Sequence, residues 1–265
     1  MSPVLSALAA GEPVAAPVAV VVAHQDDETV GMAGRLARLK ALTLIHVTDG
    51  SPYDLGDARR EGFDAREPYA AARWAELDVA LAALGARPVD HLKLGFVDQT
   101  AVEHLVVLTR RLLEVLEPQA AVITMPYEGG HPDHDACAFA VQAACTLMAR
   151  TGRTPPERLE FACYSRSEDG FAPNRFHPDP NRPAVVVELE PEAAAAKAAA
   201  IAAFRSQPWL DRVFPVGVES FRAAPDYDFA RPPPNGISHY DGYGWPMTSA
   251  RWRGFASEAA EALGL

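Results

Sequence analysis

Five apolar residues in a row, Val18-Ala19-Val20-Val21-Val22, lead directly into Ala23-His24-Gln25-Asp26-Asp27-Glu28. The run does not alternate apolar with polar. A strand made from it must be buried on both faces, which fits a parallel sheet between two helical layers and not an antiparallel sheet with one wet face. In such folds ligands gather at the carboxyl ends of the strands, and this strand carries one imidazole and three carboxylates to that end. The feature constrains the fold class and also marks where chemistry is to be sought.

The pattern that follows repeats the theme. Thr29 to Lys40 places Val30, Ala33, Leu36, Ala37 and Leu39 on a helical stripe, and Leu42 to Val47 reads as a second buried strand. Helices are predicted over Tyr69 to Leu84, His104 to Leu116 and Asp133 to Arg150, with strands over Leu92 to Phe96 and Ala120 to Met125. Strands joined by helical crossovers imply a Rossmann-like, mostly parallel sheet covered by helices on both faces. After Thr151 the texture changes to strands at Leu159 to Ser165 and Ala184 to Glu190, a helix from Pro191 to about Ser206, and then Pro- and Gly-rich chain as far as Trp245. The expected organisation is an unstructured tail over residues 1–14 and a Rossmann-like metal-binding catalytic core over 15–150. A smaller α+β extension over 151–265 packs on that core and shapes the substrate pocket. Within it, Pro232 to Gly236 reads as a turn or lid segment.

Composition narrows the partners. With 24 Lys and Arg against 35 Asp and Glu, the net charge of −11 argues against nucleic acid and against an anionic membrane surface. The N-terminus has no basic leader segment, and its apolar run meets charge before it could span a bilayer, so no membrane insertion and a cytoplasmic location are expected. Cys137, Cys145 and Cys163 form no CxxC pair and read as small hydrophobes.

A Rossmann-like start invites a dinucleotide, but the glycine-rich turn that would cradle a pyrophosphate is absent. Asp26, Asp27 and Glu28 stand in its place with the wrong sign of charge. A cation suits them better. His24 at the strand tip and Asp27 on the first helical turn can face one point, yet two ligands hold a metal weakly. The loop Glu128-Gly129-Gly130-His131-Pro132-Asp133-His134 follows a later strand and therefore lies at the same sheet edge. His131 and His134, three apart on a helix that Pro132 can open, could complete a His/Asp/His set with an open position, as catalytic zinc requires. Either loop alone has a plainer reading, as a helix cap or a strand-end histidine bonded to backbone. The two together make a complete ligand set.

These two motifs resemble the signatures of the LmbE/PIG-L family of zinc-dependent N-deacetylases. Thr48-Asp49-Gly50, the helix with Arg73, Glu76, Ala80, Leu84 and Gly85, and Leu94-Gly95 with Asp98 are similar to further family motifs. Ser206-Gln207 and Glu219-Ser220-Phe221 are weaker echoes. The resemblance implies a hydrolase that removes an N-acetyl group from an amino sugar or GlcNAc-containing glycoconjugate. Its implied metal ligands are His24, Asp27 and His134, holding Zn2+, with Fe2+ or another divalent ion as the alternative. Asp26 is the implied general base toward a metal-bound water, and a charged His131 is expected to polarise or protonate the reacting group. Glu28 and Asp133 are expected to orient ligating imidazoles. Arg73 and Asp98 are expected substrate contacts, against plainer roles as a helix pair with Glu76 and a helix cap. The partner is a small N-acetylated molecule; other readings of the same residues are an amidase for a non-sugar amide or a non-catalytic carbohydrate-binding protein.

Two positions depart from the family pattern. Gln25 stands where Pro is common, and Gly129 stands where some sugar deacetylases of the family carry Tyr. Among the other histidines, His46 is expected in the core, and His91, His104 and His177 as structural or exposed. His239, beside Tyr240, Tyr243 and Trp245, is the one whose aromatic company suits a sugar ring.

Overall fold

The structure, a computed structural model, describes residues 2–234 and 236–265. In chain order its first half holds α1 (Pro3–Ala10), β1 (Val14–Val22), α2 (Asp27–Leu36), β2 (Leu39–Pro52), α3 (Gly56–Arg60), α4 (Arg66–Leu84), β3 (Asp90–Asp98), α5 (Leu105–Leu116), β4 (Ala121–Thr124) and α6 (Pro132–Arg150). The second half adds β5 (Glu157–Phe161), β6 (Tyr164–Ser167), β7 (Gly170–Pro173), β8 (Val185–Glu188), α7 (Pro191–Ile201), α8 (Leu210–Val213), β9 (Val218–Ala223) and α9 (Ser249–Leu263).

Seven strands form one sheet in the order β3-β2-β1-β4-β5-β9-β8. The five from β3 to β5 are parallel, and β9 pairs antiparallel with both β5 and β8. The predicted α/β class is therefore the observed one. Val18 to Val22 are all 0% exposed, because β1 is central in the sheet and covered on both faces. From β1 the chain moves outward on one side to β2 and β3, then returns to place β4 on β1's other side. The carboxyl ends of β1 and β4 thus flank the topological switch point, the crevice where open α/β sheets bind ligands.

Three expectations change. Residues 1–14 are not a tail: α1 is capped by the Ser2 hydroxyl, which accepts from Leu5 N at 3.2 Å, and it buries Val4, Leu5 and Leu8. Their spacing gives a short apolar stripe that the sheet edge can cover, and Arg35 Nε donates to Leu8 O at 2.7 Å. The predicted strand Leu159 to Ser165 is two strands, because the chain leaves the main sheet after Phe161 and β6 joins β7 in a separate hairpin. The helix predicted to Lys40 stops at Leu36, and residues from Leu39 onward join β2. Strand β9 and helix α9 escaped the sequence reading altogether. The Pro232 to Gly236 turn includes Asn235, which lies outside the described residues. Among the described residues no helix is long and apolar enough to cross a membrane.

Candidate active site

The β1 loop is shaped by Asp27. Its Oδ2 accepts the backbone N–H groups of Ala23 at 3.1 Å and His24 at 2.7 Å, folding the first turn of α2 back onto the strand tip. This leaves Oδ2 3.4 Å from Nδ1 of His24. The Gln25 departure is absorbed inward: the side chain is fully buried and its amide donates to Thr48 O at 3.4 Å, while Thr48 Oγ1 donates to Ala23 O at 2.9 Å.

The loop after β4 arrives on the other side of the crevice. His131 caps α6, its Nδ1 accepting from Asp133 N at 3.2 Å, and Pro132 takes the first helical position. One turn on, His134 places Nε2 3.0 Å from Oδ1 of Asp27. That nitrogen is buried and makes no aligned hydrogen bond among the described residues. Short approach without alignment is what two lone-pair donors show when they point at a common third atom. The ring of His24 lies 4.6 Å from that of His131 and 5.4 Å from that of His134.

This donor set fits a divalent metal. Asp27 approaches both His24 and His134, and donor atoms lie within 4.8 Å of one another in three overlapping groups: His24 with His131 and His134, Asp27 with His134 and Cys163, and His24 with Asp26 and Asp27. Cys163 Sγ stands 3.9 Å from Asp27 Oδ1 and within the same reach of His134, although burial pushes its thiol well up and keeps it protonated. Burial opposes charge on His24, but Asp98 and then Asp27 outweigh it and hold the imidazole well above its ordinary pKa. Burial likewise opposes charge on Asp27, and His134 and His24 overcome it to hold the carboxyl well below its usual range. The proton held on His24 and the charge kept on Asp27 thus offset each other.

The remaining residues divide differently from expectation. Asp26 stands beside the cluster and accepts from Arg73 NH2 at 3.0 Å, both side chains being buried. Arg73 therefore pairs with Asp26 and not with Glu76, whose carboxylate accepts from Ser206 N and Oγ. Asp98 caps no helix: its Oδ1 meets His24 Nε2 at 3.0 Å. Both Arg73 and Asp98 border the cavity in front of the site, already engaged by these partners. Glu28 does not orient a ligand but faces His46 Nε2 at 3.3 Å, and His46 Nδ1 meets His91 Nε2 at 3.0 Å. Asp133 approaches His24 Nε2 at 3.6 Å while its two oxygens accept from Gln99 N at 2.6 Å and Ala101 N at 3.0 Å, tying the β3 loop to α6. The imidazole expected to be charged, His131, is pushed well below its ordinary pKa by burial and then by the charge on His24. With Nδ1 accepting, its proton belongs on Nε2, so it is a neutral donor.

Gly129 cannot carry a side chain. Its φ is +69°, and a Cβ there would lie 2.7 Å from Ser238 Oγ and 2.9 Å from Ser238 Cα. The space belongs to the C-terminal loop, where His239 N donates to Gly129 O at 2.7 Å and Tyr240 OH to Asp135 Oδ2 at 3.1 Å. Trp252 of α9 fastens the same region by donating to Pro132 O at 2.9 Å. A cavity of about 460 Å³ opens in front of the cluster, and Tyr164, Trp209, Phe214 and His239 from the second half of the chain help line it. The scattered aromatic residues among these carried no periodic signal, which is why sequence reasoning missed all but His239.

Residues 19–145 match the family model described as PIG-L: GlcNAc-PI de-N-acetylase. The matched stretch contains both halves of the cluster. A relative from Bacillus subtilis (strain 168), named probable N-acetyl-alpha-D-glucosaminyl L-malate deacetylase 2, is 31% identical over 131 residues. That stretch covers 47% of this chain and 58% of the relative. Two solved structures share the fold: the zinc-inhibited form of teicoplanin deacetylase Orf2 (TM-score 0.59, 15% identity, 80% of this chain, 99% of that one) and the A40926 pseudoaglycone deacetylase Dbv21 (TM-score 0.60, 17% identity, 80% and 97%). Each covers 80% of this chain, so the likeness in fold is broader than the stretch that matches the family model.

Proposed function

We propose that this protein is a metal-dependent N-deacetylase acting on a small molecule that contains an N-acetylated amino sugar. The observation that carries the reading is the convergence of His24, Asp27 and His134 around an unbonded His134 Nε2, with the Arg73-held carboxylate of Asp26 beside them. His24, Asp27 and His134 would hold the ion, zinc first and Fe2+ as the alternative. When bound, such an ion supplies Lewis acidity, acidifying water and polarising a carbonyl oxygen.

The protein's own groups do the rest. Asp26 accepts the proton of the attacking water as its oxygen bonds to the amide carbon. The neutral Nε2–H of His131 donates a hydrogen bond to the oxyanion that develops as the carbonyl is lost. Asp26, now protonated, returns that proton to the amine as the C–N bond breaks, leaving acetate and a free amine. Residues 151–265 belong to this unit as the part that shapes the substrate side. The three unpaired, buried cysteines suit the reducing cytoplasm.

Acetate release from N-acetyl amino sugars, followed on metal-analysed protein, tests the reading. Release should stop with a chelator and fall about 10²–10⁴-fold in Asp26→Asn with the metal retained. Full activity in metal-free protein would sink it. Because one structure of the same fold is described as zinc-inhibited, zinc should be titrated from substoichiometric amounts upward.

A further inference from the structure

Three of the four most exposed large aromatic side chains of the described residues border a single cavity, the one in front of the candidate metal cluster. They are Phe171 at 36%, Trp209 at 39% and Tyr243 at 49% exposed; Tyr53 lies elsewhere. Isolated exposed apolar residues need no explanation, but their concentration on one concave surface does.

The rings form a connected band. Tyr164 lies 5.0 Å from the ring of His134 and stacks at 5.3 Å on Phe171; Phe214 lies 6.1 Å from Phe171 and 5.8 Å from Trp209. On the other side Trp245 lies 5.3 Å from His131 and 4.7 Å from Tyr243. Two polar atoms of this band are engaged within the protein. Trp209 Nε1 donates to Gln207 Oε1 at 2.8 Å, and Tyr243 OH meets His239 Nε2 at 2.5 Å. At Trp209 and Tyr243 what remains for a ligand is ring surface. The same cavity is also lined by the polar Asp57, Arg60, Asp98 and Gln99. The cavity therefore offers both aromatic surface and polar groups beside the candidate metal cluster.

Resting on the proposed deacetylase reading, we infer that the aromatic band is a subsite for an apolar aryl or alkyl substituent of the substrate, carried on the sugar or on the amide's acyl group. A bare amino sugar would satisfy the polar lining groups and leave the band in water. An amphipathic substrate covers both, and each buried methylene adds about 0.8 kcal/mol, roughly fourfold in affinity.

The test is calorimetric binding to zinc-loaded Asp26→Asn protein, with acetate or acid release by wild type measured in parallel. Four probes are compared: the methyl glycoside of N-acetylglucosamine, its octyl glycoside, the methyl glycoside of N-octanoylglucosamine, and diacetylchitobiose. The octyl or the octanoyl compound is expected to bind at least about tenfold tighter than the methyl glycoside, and the arm that gains identifies which end of the substrate carries the group. Trp209→Ala and Phe171→Ala, each checked for unchanged thermal unfolding, are expected to collapse that ratio. Equal affinities, binding by none, a gain confined to the disaccharide, or a ratio indifferent to both variants overturns the inference. Absence of turnover with a preserved affinity ratio would instead count against the deacetylase reading alone.

Discussion

Arg73, on α4, donates to Oδ2 of Asp26 at 3.0 Å and to the carbonyl of Gly50 at 2.8 Å, bridging the tips of β1 and β2. The charge beside the candidate metal cluster is thus held by a residue whose sequence position suggested contact with substrate. Removing one member of a buried ion pair leaves the other uncompensated. Arg73→Ala is expected to lose about 3–5 kcal/mol of stability in urea unfolding and to lower kcat more than it raises KM. Arg73→Lys, which keeps the charge but loses the fork, should recover part of both.

Asp98 meets His24 Nε2 at 3.0 Å, and partners of this kind orient ligating imidazoles. Asp98→Asn is expected to weaken zinc binding by about 10–100-fold in a chelator competition. A substrate-contact role alone would raise KM and leave zinc affinity unchanged.

Metal removal should register in stability as well as activity. An ion that binds only the folded state stabilises it in proportion to the logarithm of its concentration. Dialysis against a chelator is expected to lower Tm, and added zinc to restore it. His134→Ala and Asp27→Asn should show no such response.

Burial pushes the Glu128 carboxyl up to about 8, against the opposing pull of Arg222 at 3.0 Å. From about 4.3, where the unfolded chain releases its proton, up to that value, the folded protein still holds one. Stability therefore falls as pH rises through this window, by up to about 1.4 kcal/mol per pH unit. Glu128→Gln has no such proton. In urea unfolding from about pH 5 to about pH 8, the variant's stability relative to wild type should climb with pH.

Gly129 sits at φ +69° against Ser238 and Pro233. Gly129→Ala is expected to cost about 1–2 kcal/mol from the left-handed backbone alone, and more from the displaced loop, as measured by denaturant midpoint. Gly129→Tyr, which restores the residue seen at this place in some sugar deacetylases, should destabilise further and fail to raise activity.

The parallel core was legible because its signals are local. An unbroken apolar run such as Val18 to Val22 demands burial on both faces, and the helices between the strands show their period directly. Strand β9 was less so, since Val218 to Ala223 carries Glu219 and Arg222 inside it. Glu219 is paired with Lys197, and Arg222 is held by Glu160 and Glu128, contacts invisible along the chain. Helix α1 was overlooked because its stripe is only eight residues long and is held by packing more than by propensity.

The sequence by itself determined the fold class, the sheet edge on which the chemistry lies, and the pairing of His24, Asp26 and Asp27 with His131 and His134 as residues of one place. Strand direction and loop position suffice for that, because all strand-to-helix loops of a parallel sheet share an edge. Only the tertiary structure decided which group each polar side chain serves. Arg73 went to Asp26, Asp98 to His24, and Glu28 to His46, because hydrogen-bond partners are selected by side-chain direction across elements and not by spacing along one. The same holds for the aromatic wall: its members come from a hairpin, a short helix and a loop, and no period along the chain links them.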